Sequence, residues 1–302
     1  ATKDHMRTIG SSIFVVLSCL SFTAKVSAFT TEMKIAVVTG ANKGIGKAIA
    51  SNLATCGVFT HVILGCRDQA LAKTAVDEIS SAENSCNVSS YQLTIGDKES
   101  HASFCRAIED KFGKVDVLVN NAGMAFKNSD PTPFQKQCKA TLDVNFRGTA
   151  EFTENMLPLV RKGTDARIVN VASMSGKLSQ LRSKELQNKF SSSNLTKEEL
   201  YGLVNKYEND VNEGKHGERG WGNSNYGLSK LSLIAMTKVW AKEESKNGIA
   251  VNCCCPGYCD TDMTSHKGHR SATEGAKNAV IPATMENPTA GEFFSDYKIS
   301  VW

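Results

Sequence analysis

Apolar residues are arranged along this chain in two alternating patterns. Short continuous runs, "KIAVVTG" (34–40), "HVILGCR" (61–67), "VSSYQLT" (88–94), "VDVLVNNAG" (115–123), "ARIVNVAS" (166–173) and "GIAVNCCCPG" (248–257), are apolar at successive positions rather than at every second one. Such runs predict parallel strands covered on both faces. Between them, "GKAIASNLATCG" and "HASFCRAIEDKFG" repeat apolar residues at helical spacing, and Gly113 is placed to cap the second. Alternating strands and helices predict an α/β fold: one doubly wound parallel sheet with right-handed crossovers.

Two segments depart from that rhythm. Leu178 to Trp221 is polar, charged and serine-rich, with a helical stretch "TKEELYGLVNKYENDV" whose Thr196 and Glu199 have the spacing of a capping box. It is expected to be an insertion at the carboxyl edge of the sheet before Tyr226, not a second domain. Residues 1–32 form the other. Ala1 to His5, ahead of Met6, read as translated upstream sequence. After them Arg7, an apolar stretch Ile13–Leu20 and Val26-Ser27-Ala28 fit a short signal peptide, too short to span a bilayer. The "SAF" at 27–29 also resembles the cleavage motif of bipartite plastid-targeting peptides in some algae. The expected domain is 33–302, secretory or plastid-directed if the leader is used and cytoplasmic if synthesis starts at Met33.

Composition narrows the class. At 302 residues, with 41% hydrophobic and 22% charged residues, the chain can bury a full core. The net charge of +4 comes from dispersed lysines without a basic block, so no nucleic-acid partner is expected. Ten cysteines include the consecutive Cys253, Cys254 and Cys255 inside an apolar run, and no CxxC pair has metal-ligand spacing. Most are expected to be small buried hydrophobes, with no metal site.

The first strand ends at "TGANKGIGKAIA". Gly40, Asn42, Lys43, Gly44, Ile45 and Gly46 make a turn at which a backbone can approach a pyrophosphate, while the next helix offers free N–H groups. That is the phosphate end of a Rossmann-type fold. After the second strand, where an acidic residue would hold a ribose 2′-hydroxyl, stands Arg67. With Lys43 it makes two cations at one ribose edge, which suits a 2′-phosphate, so the expected cofactor is NADP(H). Asp68 is expected to cap the following helix.

Tyr226 and Lys230 lie four residues apart, hence on one helix face. With Ser173 after the fifth strand run and Asn145 in "LDVNFRG", they supply the groups needed to deliver a proton to a carbonyl oxygen. Bringing a phenol from pKa ~10 to about 7 takes roughly 4 kcal/mol, which one fixed charge about 4 Å away supplies at an effective dielectric of ~20. Lys230 is the expected charge, Tyr226 the acid, Ser173 a second donor to the same oxygen, and Asn145 the holder of a water linking Lys230 to solvent.

These motifs, "TGANKGIG", "NNAG", Ser173 and "YGLSK", together resemble the short-chain dehydrogenase/reductase family. "TLDVNFRGT", "ERGWGNSNYG", "CCPGY" with "TDM", and Trp302 are similar to its animal-type monomeric NADPH carbonyl reductases. The resemblance spans Lys34 to Trp302. It implies the catalytic set Asn145, Ser173, Tyr226 and Lys230, and cofactor contacts from Asn121, Ala122 and Gly123, from Tyr226 and Lys230, and from Pro256, Gly257 and Thr261. The substrate pocket would include Tyr258 and Met263. It also implies a monomer, because the insertion covers the surface through which other members form tetramers. Two positions differ from the relatives. Thr94 stands where they hold adenine with Asp, so Thr94 or Asp97 must serve. Tyr258 stands where they carry tryptophan, favouring more polar substrates. The expected activity is NADPH-dependent reduction of aldehydes, ketones or quinones; the alternatives are a reductase dedicated to one biosynthetic ketone and a non-catalytic NADP(H)-binding regulator.

Overall fold

The computed structural model describes residues 32–82, 86–127 and 129–302. The leader motifs fall outside the described residues. Met33–Trp302 forms one compact unit. Its first half runs β1 (Ile35–Thr39), α1 (Gly44–Thr55), β2 (His61–Cys66), α2 (Gln69–Ser80), β3 (Asn87–Gln92), α3 (Lys98–Phe112), β4 (Val117–Asn120), α4 (Phe134–Leu142), α5 (Thr149–Val160) and β5 (Arg167–Val171). The second half runs α6 (Lys184–Phe190), α7 (Lys197–Asn212), α8 (Asn225–Glu244), β6 (Ala250–Cys254), α9 (Ala272–Thr284), β7 (Phe293–Ser295) and β8 (Lys298–Ile299).

The sheet order is β3-β2-β1-β4-β5-β6-β7-β8, parallel except for β8, which pairs antiparallel with β7. Strands β1, β4, β5 and β6 are buried at every position, as continuous apolar runs require. The edge strand β3 is only partly covered. Strands β7 and β8 were not among the six expected runs, since three and two residues carry too little periodicity to be seen. From β1 the chain adds β2 and β3 on one side and then β4 onwards on the other, so a crevice opens beyond the carboxyl ends of β1 and β4, where this class of fold binds nucleotides.

The expected caps form. The Asp68 side chain accepts from Leu71 N at 3.0 Å, Gly113 closes α3 at φ +70°, and Thr196 and Glu199 make a reciprocal capping box on α7. Between α4 and α5 the helix widens into a π-turn over Asp143–Gly148, which holds Asn145. Such widened turns recur at functional positions.

The insertion buries Leu200, Val204, Tyr207 and Val211 of α7 within the main core. Asp210, 2% exposed, is its anchor. That carboxylate accepts from Trp221 Nε1 at 2.7 Å and from Lys206 Nζ at 2.9 Å, and it pairs with Arg219. Tyr207 then donates to Asn225 Oδ1 at 2.8 Å, while Asn225 Nδ2 donates to the Phe134 carbonyl at 2.9 Å. The insertion therefore fixes the first turn of α8, one residue before Tyr226. At the other edge Trp302 Nε1 donates to the Gly176 carbonyl at 3.0 Å, tying the chain's last residue to the turn that follows Ser173.

Most described cysteines are buried, Cys253, Cys254 and Cys255 among them; Cys56 is exposed and Cys105 half-buried. Burial pushes the Cys253 thiol up to about 12 and Cys254 well above the usual thiol range, so both are unreactive at neutral pH. Among the described residues no helix is long and apolar enough to cross a membrane.

Candidate active site

The cofactor crevice is built from three loops. Gly40 and Gly44 take φ +63° and +54°, which only glycine adopts freely. Gly46 must also lack a side chain, because a Cβ there would lie 2.3 Å from the Gly40 carbonyl oxygen. The loop after β4 is stitched to this turn. Asn121 N and Ala122 N donate to Thr39 Oγ1 at 3.0 and 2.9 Å, and Asn121 Nδ2 donates to the carbonyls of Thr39 and Gly40 at 2.9 and 3.2 Å. Asn121, expected to contact a ribose, thus spends its amide N–H groups holding the glycine turn. In the third loop Gly257 takes φ +87°, and Arg270 donates to the Pro256 carbonyl at 3.2 Å.

These residues fit a dinucleotide. The N-cap of α1, Lys43, offers no side-chain hydrogen bond to the first turn, whereas α2, α3, α7, α8 and α9 are all closed by a Ser, Thr or Asp side chain. The N–H groups at the α1 terminus are left for an anion, at the glycine turn where a pyrophosphate would lie. Ile45 lies in this first turn and reaches the cleft that also contains Tyr226. Arg67 is exposed just after β2. Lys43 is engaged elsewhere: its ammonium pairs at 2.5 Å with Asp262 in the loop after β6. Gly44 and Thr261 abut at the same place, a Cβ on Gly44 coming 3.4 Å from Thr261 Cγ2. Of the two residues proposed for adenine, Asp97 caps α3 by accepting from Glu99 N and Ser100 N at 3.0 Å each. Thr94, with its backbone N–H bonded to Ser100 Oγ at 2.8 Å, keeps its hydroxyl for another partner.

Two of the catalytic candidates, Ser173 and Tyr226, line a cleft of about 520 Å³; Asn145 and Lys230 lie behind them, buried. Ser173 lies two residues beyond β5, not at its end, and caps a short helical turn by accepting from Ser175 N at 3.1 Å. Ser173 also partly offsets the rise that burial gives the Tyr226 pKa. Lys230, one turn along α8, is 4% exposed; its ammonium stands 5.7 Å from the Tyr226 ring centre and donates to the Val171 carbonyl at 2.7 Å. Asn145 Oδ1 accepts from Met124 N at 2.8 Å, and Nδ2 donates to the Met124 carbonyl and to Ser229 Oγ at 2.8 and 3.1 Å. Ser229 Oγ in turn donates to the Tyr226 carbonyl at 2.8 Å. Gly123 is squeezed between Asn145 and Lys230: a Cβ would lie 3.1 Å from Asn145 Oδ1 and 3.5 Å from Lys230 Nζ.

One expectation is reversed. Lys230 is expected to lower the pKa of Tyr226, yet burial pushes that phenol up to about 12, and Ser173 offsets only part of the rise. Lys230 is itself pushed down to about 8 by burial. The reason is desolvation: burial penalises the charged form of each group, and no carboxylate among the described residues offsets it.

Tyr258 and Met263, expected at the substrate, and Thr261, expected at the cofactor, all line the cleft. The sequence reading missed Ser229, Val171 and Met124, and the cleft residues Phe126, Lys127, Ser175 and Lys267. Ser229 sits inside the quoted "YGLSK" and had a signal. The others act through a backbone carbonyl or lie on loops, where no spacing rule applies.

With the geometry in place, the relatives can be set beside it. The model of the short chain dehydrogenase family matches residues 34–185 and 214–272; the gap falls within the insertion. Carbonyl reductase [NADPH] 1 of Pongo abelii is 39% identical over 283 residues, covering 90% of this chain and 100% of that protein. The Homo sapiens protein of the same name is 38% identical over 283 residues with the same coverage. Among solved structures, salutaridine reductase from Papaver somniferum superposes with a TM-score of 0.78 at 30% identity, covering 86% of this chain and 99% of that one. Menthone neomenthol reductase from Mentha piperita gives 0.71 at 29% identity, covering 87% and 98%.

Proposed function

The chain belongs to the short-chain dehydrogenase family, and on that premise we propose that it is an NADP(H)-dependent carbonyl reductase acting on aldehydes, ketones or quinones. The observation that carries this reading is that Ser173 and Tyr226 line one cleft while the buried Lys230 ammonium stands 5.7 Å from the Tyr226 ring centre behind it. When bound, NADPH supplies the hydride for the carbonyl carbon. Tyr226 delivers the proton to the carbonyl oxygen, and its raised pKa keeps it protonated until the oxygen gains charge. Ser173 donates a hydrogen bond to the same oxygen. Lys230 stabilises the phenolate left behind and binds the nicotinamide ribose. Asn145 holds Met124 and Ser229, and through Ser229 the Tyr226 backbone, so that α8 cannot shift.

Arg67 holds the 2′-phosphate, joined by Lys43 once that side chain exchanges Asp262 for the cofactor. The α1 terminus takes the pyrophosphate, and Thr94 contributes to the adenine site. The protein acts as a monomer, because α7 covers the outward faces of α4 and α8 with its own apolar residues. Incubating purified protein with NADPH and menadione or an aromatic aldehyde tests the central reading. Binding of NADPH without its consumption by any carbonyl would leave only the regulator. A reductase dedicated to one biosynthetic ketone is the second reading, favoured by the likeness to salutaridine reductase and menthone neomenthol reductase. One substrate with a KM far below all others would select it.

A further inference from the structure

The cleft in front of Tyr226 is lined by Lys127 from the loop after β4 and by Lys267 from the loop after β6, and no Asp or Glu lines it. Among the described residues neither ammonium has an ion-pair partner, and both residues are exposed. The carboxylates of these two loops are committed elsewhere. Asp130 accepts from Thr132 N at 2.9 Å. Asp260 and Asp262 bracket His266 at 2.7 and 3.1 Å, and Asp262 also holds Lys43. Arg270, at the same edge, is balanced by Asp296 at 2.7 Å. Two lysines without an ion-pair partner among the described residues therefore line a cavity whose other walls include Phe126, Met263 and Tyr258. A concave site lined by one sign of charge concentrates ligands of the opposite sign.

We propose that the substrate is a carbonyl compound that also bears an anionic group, Lys127 and Lys267 engaging the anion while the carbonyl reaches Tyr226 and Ser173. This rests on the reductase reading and adds the substrate's charge to it. A neutral quinone or aldehyde has no use for these two lysines, and an anion of similar size does. The apolar walls take the body of the molecule, so the favoured shape is amphipathic, with a carboxylate or phosphate at the end away from the reacting carbon.

Two substrates of nearly the same size separate the possibilities: 4-formylbenzoate, an anion, and its neutral methyl ester. Both would be assayed with NADPH for the unaltered protein, Lys127→Gln, Lys267→Gln and the double variant. The acid is expected to have the higher kcat/KM at low ionic strength, and the preference should shrink as salt is added. The acid-to-ester ratio should fall about tenfold in the double variant, the value for two partly solvated charge pairs of about 0.7 kcal/mol each. A ratio that neither salt nor the substitutions move would overturn the proposal. So would an NADPH dissociation constant that weakens by the same factor as the acid's kcat/KM, which would assign the lysines to the cofactor. If neither aldehyde nor menadione is consumed, the broad reductase reading itself fails and takes this one with it. Consumption of the ester without preference for the acid refutes the anionic substrate alone.

Discussion

The ammonium nitrogen of Lys230 donates a 2.7 Å hydrogen bond to the carbonyl oxygen of Val171, the last residue of β5. The buried cation is thus held by a neutral dipole and not by a carboxylate, and burial pushes its pKa down to about 8. An unfolded lysine titrates near 10.4. Below about pH 8 both states carry the proton and the folded state bears the whole desolvation penalty. Between about 8 and 10.4 only the unfolded state binds the proton, so stability rises with pH. Relative to Lys230→Met, the unaltered protein should gain up to about 3 kcal/mol across that window. Urea unfolding of both proteins at pH 7 and pH 10 measures it, and parallel changes would show that Lys230 is not buried as a cation.

Tyr226→Phe removes the proton donor while keeping the ring that packs beside Lys230. Turnover should fall by roughly 10²–10⁴-fold, the usual contribution of a positioned acid. NADPH affinity, followed by cofactor fluorescence, should stay within about threefold, since one hydrogen bond to a partly solvated group contributes little. A variant that kept most of its activity would sink the assignment.

Arg67→Asp places a carboxylate where a 2′-phosphate is expected. NADPH binding should weaken by more than about tenfold through repulsion and the lost ion pair, with NADH affected far less. Equal losses for the two cofactors, measured by titration calorimetry, would remove Arg67 from that role.

Asp210 is buried, and burial pushes its carboxyl pKa upward, but hydrogen bonds from Lys206, Trp221 and Arg219 outweigh that and hold it below the usual range. Its contribution to stability is present above about pH 4 and is lost as pH falls through the lowered native value. Asp210→Asn should destabilise by about 1–2 kcal/mol at pH 7, because it weakens the buried Trp221 hydrogen bond and removes the anion paired with the partly exposed Lys206 and Arg219. Chemical denaturation checks the size. The variant should also show a smaller loss of stability than the unaltered protein on going from pH 5 to pH 2.

Trp302→Phe keeps an aromatic ring and removes the N–H that holds the Gly176 carbonyl. The expected cost is about 1 kcal/mol of stability. Because Gly176 ends the turn capped by Ser173, kcat should also fall while NADPH affinity holds. An unchanged kcat in a measurably less stable variant would make Trp302 a structural anchor only.

Much of this protein is written in local pattern. Continuous apolar runs imply strands buried on both faces, and a run of five residues carries enough signal to be found, as β1 and β5 show. Asp68, Gly113 and the Thr196–Glu199 pair satisfy backbone groups within one turn of themselves, so spacing alone locates them. The glycines 40, 44 and 46 and the Tyr226–Lys230 pair are legible for the same reason: their chemistry depends on neighbours a few residues away.

What depends on distant contacts was decided only by the tertiary structure. Electrostatic environment is a property of everything packed around a group, so a charge four residues away could not predict that burial would raise Tyr226 and lower Lys230. Lys43 meets Asp262, and Asn145 meets Met124 and Ser229, because the sheet brings separate loops to one edge. The cleft's charge likewise follows from which loop carboxylates are already paired, as Asp262 is with Lys43 and His266. Strands β7 and β8 form because β6 offers an edge, a template no five-residue window contains.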